Sequence, residues 1–366
     1  MVFKTFRQLK ILQLIDSLHS GGAERMCVNI SNVLHENGHE VVLCATRYGG
    51  VLEKTITSGI KFHILHKKSS IDFVAFRRLL SIVHDNSIEV IHAHSSSLFW
   101  AIVAKGFSRR VKVLWHDHNG LRANDSWNNL FYKLLSIKID GIIAVNHVLA
   151  DWSRKNMKVP PERIVMINNF PLLKSVKRHT DPEFFTIVCL ANIRPQKDHE
   201  TLVRAIALLK KQDLPQKLKV IFAGSFDDRE YNQRIRSLIA ELSLKDTIEM
   251  PGTIEDTAYL LSKADCGVLS SSSEGLPVAL LEYGMAALPV VVTNVGKCAE
   301  VVGNGRYGKV VATSDAQGLA EELFWIFSNL AEAKKVGENL KKHVVNNYGP
   351  GNFLTDYMNL LNLIQQ

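Results

Sequence analysis

Ser271-Ser272-Ser273-Glu274-Gly275-Leu276-Pro277-Val278-Ala279-Leu280-Leu281-Glu282 is the stretch from which the fold can be read. The apolar run Cys266–Leu269 before it reads as a buried strand. Residues 278–287 read as a helix, and Pro289–Thr293 as the next strand. A strand, a short loop, a helix and another strand make one unit of a parallel sheet. Within the loop, Gly275 lets the backbone approach a ligand closely, and Pro277 suits the first helical position. Amide groups at a helix start have no intrahelical acceptor, which makes an anion site. Glu282, in the second turn, is placed to accept hydrogen bonds from ribose hydroxyls. The plainer alternative is two unrelated glutamates on an ordinary helix.

The same alternation extends in both directions. Upstream come strands at 184–190, 218–223 and 247–250, with helices at 201–210, 231–242 and 254–262 between and after them. Further back, the segment from Lys174 to Pro182 is polar and basic and reads as a linker. The first half repeats the pattern: strands at 9–15, 40–45, 90–93, 111–115 and 141–145, helices at 23–36 and 73–83, the latter with Phe73, Phe76, Leu80 and Val83 on one face. The fold class is therefore α/β, two Rossmann-like doubly wound domains. Their expected bounds are 1–172 and 180–347, with a helix in 348–366 packing back toward the first domain. Such sheets bind ligands at the carboxyl ends of their strands, so a central cleft between facing domains is the expected site.

Three further motifs lie at those ends. Ala191-Asn192-Ile193-Arg194-Pro195-Gln196-Lys197 follows the first strand of the second half, where Arg194 and Lys197 can converge on a diphosphate. Exposed, solvated charges are the simpler alternative. Ser20-Gly21-Gly22 follows the first strand of the chain and allows close approach of an anion, or is a plain tight turn. Ile91-His92-Ala93-His94 and Trp115-His116-Asp117-His118-Asn119-Gly120 each end a strand, so His92 and His94 share a face. Clustered histidines suit a metal site or a satisfied core. No further ligands for a closed zinc site are evident, and no metal is expected.

The Glu274–Glu282 pair, with seven residues between, resembles the E-x7-E motif of retaining glycosyltransferases of family 4, which have the GT-B fold. Tyr283-Gly284-Met285-Ala286-Ala287-Leu288-Pro289-Val290-Val291, Val295-Gly296 and Glu300 are similar to the segments that follow it. The chain departs from the family at Ala287, where glycine is usual, and at Asn192, where arginine is usual. The resemblance implies sugar transfer from a UDP- or GDP-linked donor to a hydroxyl of a glycan or lipid-pyrophosphate-linked acceptor, with retention. Glu274, Gly275 and Leu276 would contact the donor, Glu282 its ribose, and Lys197 and Arg194 the departing diphosphate. Gly21 and Gly22 would face the phosphates, and His94 and His116 the donor sugar. No D-x-D triplet occurs, so the leaving group would be met by cations and amides, with no metal and no other cofactor. An epimerase of the same fold and a non-catalytic nucleotide-sugar-binding protein are the alternatives.

Charge and composition bound the setting. Residues 1–170 hold 22 Lys and Arg against 13 Asp and Glu, and residues 171–366 hold 22 against 23. A basic half that holds the acceptor suits polysaccharide, O-antigen or capsule assembly at the anionic inner membrane surface, where residues 67–78 are the expected contact. The five cysteines are scattered, with no C-x-x-C pair, and no run is long enough for a membrane span or a signal segment. A cytoplasmic protein, peripheral on the inner face of the cell membrane, is expected. Nucleic-acid binding is not, since no aromatic-interleaved basic patch occurs.

Overall fold

The computed structural model describes residues 7–19, 21–108, 110–118, 126–172, 178–179, 181–214 and 216–365, with the backbone alone at 126–129. Ser20, Asn119, Gly120 and much of the expected linker (174–177 and 180) lie outside the described residues. The chain divides into two compact units, residues 1–170 with 350–366, and residues 171–349.

The first unit contains β1 (Lys10–Ser17), α1 (Gly22–Glu36), β2 (Glu40–Tyr48), β3 (Lys61–Ile64), α2 (Phe73–Asp85), β4 (Val90–His94), α3 (Leu98–Phe107), β5 (Lys112–Asp117), α4 (Ser126–Leu135), β6 (Gly141–Ala144), α5 (His147–Asn156) and β7 (Ile164–Met166). Its seven strands are parallel and run β3-β2-β1-β4-β5-β6-β7. The order reverses between β1 and β4, so the crevice for a ligand lies at the carboxyl ends of those two strands.

The second unit contains β8 (Phe184–Leu190), α6 (His199–Leu209), β9 (Lys217–Ala223), α7 (Arg229–Glu241), β10 (Ile248–Gly252), α8 (Thr257–Ser262), β11 (Cys266–Leu269), α9 (Val278–Met285), β12 (Val290–Thr293), α10 (Cys298–Val301), β13 (Lys309–Val311), α11 (Ala316–Ser328) and α12 (Leu330–Tyr348). Its six parallel strands run β10-β9-β8-β11-β12-β13, and the reversal falls between β8 and β11. The remaining helix, α13 (Pro350–Gln365), belongs to the first unit. Phe353 meets Phe170 at 4.7 Å, and the Tyr357 hydroxyl lies 3.2 Å from His92 Nδ1.

Both sheets are covered on two faces, which is why their strands are runs of Val, Ile and Leu rather than alternating patterns. Side-chain caps set several helix starts. Asp72, Asp228 and Asp256 accept from amides of the first turns of α2, α7 and α8. The Asp256 cap explains why α8 begins at Thr257 and not at 254. Pro277 stands at the cap position of α9, one residue before the place expected for it. The inward face of α2 is also different from the expected one: Ala75, Leu79, Ile82 and Val83 are buried, and Phe73 is 77% exposed.

Candidate functional site

In the second unit, the loops leaving β8 and β11 meet at the reversal of strand order. Lys197 Nζ lies 2.6 Å from Glu274 Oε1, and the Ser271 hydroxyl donates to the same oxygen at 2.7 Å. The backbone ties the loops together as well. Ser270 Oγ donates to the Lys197 carbonyl at 2.9 Å, and the Ser272 amide to the Gln196 carbonyl at 3.0 Å. Thr293, ending β12, fixes Ser271 through its carbonyl at 2.6 Å. The serine run is thus a clamp that aims Glu274.

Gly296 closes this loop from the β12 side. Its φ is +52°, and a Cβ there would stand 2.2 Å from the Glu274 carbonyl oxygen. Only glycine satisfies both demands. The next amide, that of Lys297, then reaches the Gly275 carbonyl at 2.9 Å. Gly275 is half-buried and Leu276 is buried in the core beneath α9. Glu282 is 5% exposed on α9. Its neighbour Tyr283 pins the helix to the sheet: the hydroxyl accepts the Leu190 amide at 2.6 Å and donates to the Val188 carbonyl at 3.2 Å.

Arg194 does not join Lys197. It is exposed and pairs with Asp227 at 2.8 Å, in the loop after β9. Asn192 accepts the Ser225 amide of that loop at 3.1 Å. The expected convergence of Arg194 and Lys197 is therefore not the arrangement found; an acidic residue that went unremarked in the sequence takes Arg194.

In the first unit, Gly21 is the extended cap residue of α1. The Glu24 carboxylate occupies the space where a Gly21 Cβ would be, and nothing would meet a Cβ on Gly22. The histidines of β4 and β5 form a buried stack. His94 and His116 are register partners on adjacent parallel strands. Ring centroids of His92 and His94 are 4.4 Å apart, and those of His116 and His118 4.0 Å. His94 Nε2 reaches Gln13 Oε1 at 2.9 Å, and its Nδ1 reaches His118 Nε2 at 3.0 Å. One tautomer fits: Nε2–H donates to Gln13, and Nδ1 accepts from His118. Both ring nitrogens of His116 lack a hydrogen-bond partner. Burial holds the pKa of His92, His94 and His116 well below the ordinary 6.5, and repulsion within the cluster, from His118 on all three, adds to it. Gln13 and Tyr357 went unrecognised in the sequence because only strand pairing and α13 bring them to the histidines.

Comparison with known proteins matches this architecture at both levels. The family model described as Glycosyltransferase Family 4 matches residues 20–170, and that described as Glycosyl transferases group 1 matches residues 174–343. The chain is a glycosyltransferase of the GT-B fold.

The transferase is 22% identical to the capsular polysaccharide biosynthesis glycosyltransferase CapH of Staphylococcus aureus, over 80% of this chain and 83% of that one. It is 25% identical to the O-antigen biosynthesis glycosyltransferase WbnH of Escherichia coli, over 78% and 81%. Among solved structures it is similar in fold to Anabaena HepE in complex with UDP and glucose, with a TM-score of 0.80, 18% identity, and coverage of 97% and 100%.

One departure of the transferase from the family pattern, and its histidine cluster, have a local geometry of their own. Ala287 follows the C-terminus of α9 at φ +55°, the left-handed conformation that glycine adopts without strain. The candidate ligand atoms of His92, His94 and His116 lie within 4.8 Å of one another, a spacing that metal ligands can have. Their rings lie at interplanar angles of 8–34°, with centroids 4.4–5.4 Å apart.

Proposed function

We propose that the transferase moves a sugar from a UDP- or GDP-linked donor to a hydroxyl of a growing glycan, with retention and without a metal. The observation that carries this reading is the Lys197–Glu274 pair at the carboxyl ends of β8 and β11, beside the start of α9. A cation there meets the diphosphate, and the adjoining carboxylate contacts sugar hydroxyls. Glu282 takes the ribose, and Gly275 and Leu276 shape the loop around the donor. Gly21 and Gly22 approach the phosphates, and His94 and His116 contact the sugar. The family's mechanism supplies the step. The bond from the anomeric carbon to the diphosphate oxygen breaks, and a bond to the acceptor oxygen forms on the same face. The acceptor proton passes to the departing diphosphate.

An uncharged imidazole can hydrogen-bond a sugar without competing for the phosphates; His116 has both ring nitrogens unpartnered, whereas His94 must exchange Gln13 or His118 for the sugar. Arg194 is a reserve cation that must exchange Asp227 for phosphate to take part. The UDP and glucose held by HepE support the donor class. CapH and WbnH support a capsule or O-antigen setting; a lipid-pyrophosphate-linked acceptor on the cytoplasmic face of an anionic membrane is our extension of that setting. A thermal-shift panel of UDP- and GDP-sugars tests the reading. One donor should raise the melting temperature more than its free nucleotide does, and stabilisation by none contradicts it.

A further inference from the structure

Among the described residues, eight of the twelve large apolar side chains that stand exposed fall on one run of helices in the first unit. Ile71, Phe73 and Val74 open α2, Phe107 ends α3, and four more lie between Leu130 and Ile137 on and just after α4. The inner sides of these helices make a single core with one face of the sheet. Phe76 of α2 touches Phe107 at 5.5 Å, and Phe99 of α3 touches Phe131 of α4 at 6.1 Å, so the helices are neighbours. Single exposed apolar residues are ordinary on a protein surface; a concentration of them on adjoining elements marks an interaction surface.

The charge on the same segments is one-sided. Residues 67–85, 98–112 and 126–138 hold ten Lys and Arg against two acidic residues. One of those two, Asp72, is turned to the amides of α2 as its cap. Some cations face inward: Lys67 is buried against Asp16, Arg78 donates to the Leu65 carbonyl, and Lys105 pairs with Asp140. Phe76 and Leu80 pack into the core. The contact expected on residues 67–78 thus keeps only part of its side chains, and the outward set is wider. Lys68, Arg77, Arg110 and Lys133 stand exposed among the apolar residues.

We propose that the outward side of α2, α3 and α4 docks the transferase on an anionic lipid bilayer. The aromatic and aliphatic side chains would enter below the headgroups, and the four cations would lie among the phosphates. This deepens the reading of a lipid-linked acceptor and rests on it only for its purpose. Charge complementarity selects the occupant. A second copy of this surface would set cations against cations, whereas anionic lipid neutralises them.

The test is co-sedimentation of the full chain with phosphatidylcholine vesicles holding 0% or roughly 40% phosphatidylglycerol, at low and high salt. Binding should require the anionic lipid and fall with salt. Each basic contact strengthens partitioning about fivefold, so Arg77→Glu/Arg110→Glu/Lys133→Glu should weaken it by about a hundredfold. Phe73→Ser/Phe107→Ser/Leu134→Ser should also release the protein. Both variants should keep the wild-type melting temperature and transfer to a short water-soluble acceptor. Absence of binding to anionic vesicles, or binding unaffected by both variants, would overturn the proposal. So would a wild-type dimer that the apolar variant dissociates. Loss of transfer to the soluble acceptor by wild type, with vesicle binding intact, would instead count against the transferase reading alone.

Discussion

Lys197 and Glu274 stand 77 residues apart in the chain and meet through a 2.6 Å ion pair, with the Ser271 hydroxyl on the same carboxylate oxygen. The carboxylate side chain is 8% exposed, so it depends on these partners. Replacing Lys197 with alanine should have two effects. The folded state loses a partner of a largely buried carboxylate, at a cost of about 1–3 kcal/mol. Turnover should fall by on the order of a hundredfold, and donor affinity by much less, because charge grows on the diphosphate only as the glycosidic bond breaks. Urea melts and separate kcat and donor Kd values check this. An equal loss in both kinetic quantities would mean uniform binding.

Glu282 lies eight positions further on and is nearly enclosed on α9. Glu282→Ala should weaken binding of the free nucleoside diphosphate by about 1.5–3 kcal/mol, the loss expected for a charge-assisted hydrogen bond to ribose. Calorimetric titration with UDP and GDP measures it. An unchanged Kd removes Glu282 from the ribose site.

Most of the strand and helix pattern was legible in the sequence because buried parallel strands are apolar runs that Gly and Pro interrupt. Glu274 and Lys197 could be picked out on local grounds, since each follows a strand; Gly296 was named only through the family resemblance. What local pattern did not carry was the pairing of side chains across loops. Arg194 and Asp227 are 33 residues apart, and only the adjacency of β8 and β9 brings them together. The orientation of α2 was misjudged for a related reason. Phe73 and Val83 both look like core residues; Val83 is buried, but Phe73 stands exposed and Asp72 anchors the helix start as its cap.

The family departure at Ala287 has a measurable consequence. The left-handed conformation costs a non-glycine residue roughly 1–2 kcal/mol. Ala287→Gly should therefore stabilise the chain by about 1 kcal/mol, less the contact its methyl makes in the core. A rise in the urea midpoint with an unchanged slope is the expected result. A drop would show that the methyl outweighs the backbone strain.

Acid should weaken the first unit through the histidine stack. Burial depresses the folded pKa of His92, His94 and His116 below the unfolded 6.5. Between those values the unfolded chain binds more protons, so their contribution is complete above about pH 6.5 and is lost as the pH falls below it. The slope is up to about 1.4 kcal/mol per ring per pH unit. Carboxylates with depressed pKa, such as Asp16, act only nearer pH 4, so a comparison of pH 7.5 with 5.5 reads histidines, among them the buried His118 and His199, and the stack's share is the part that a stack variant removes. In Asp16, burial alone would raise the pKa, but hydrogen bonds from Ser96 and Thr46 and the charge of Lys67 outweigh it. His116→Leu should flatten the slope without loss at pH 7.5, since neither of its ring nitrogens has a hydrogen-bond partner.

The most direct measurement is proton NMR of the product formed from a nucleoside diphosphate α-sugar and a hydroxyl acceptor, in the presence of EDTA. The account predicts an α-linked product at a rate that EDTA does not change, with formation lost in Glu274→Gln. A β-linked product, release of free sugar without transfer, or a rate restored only by added Mn²⁺ would contradict it.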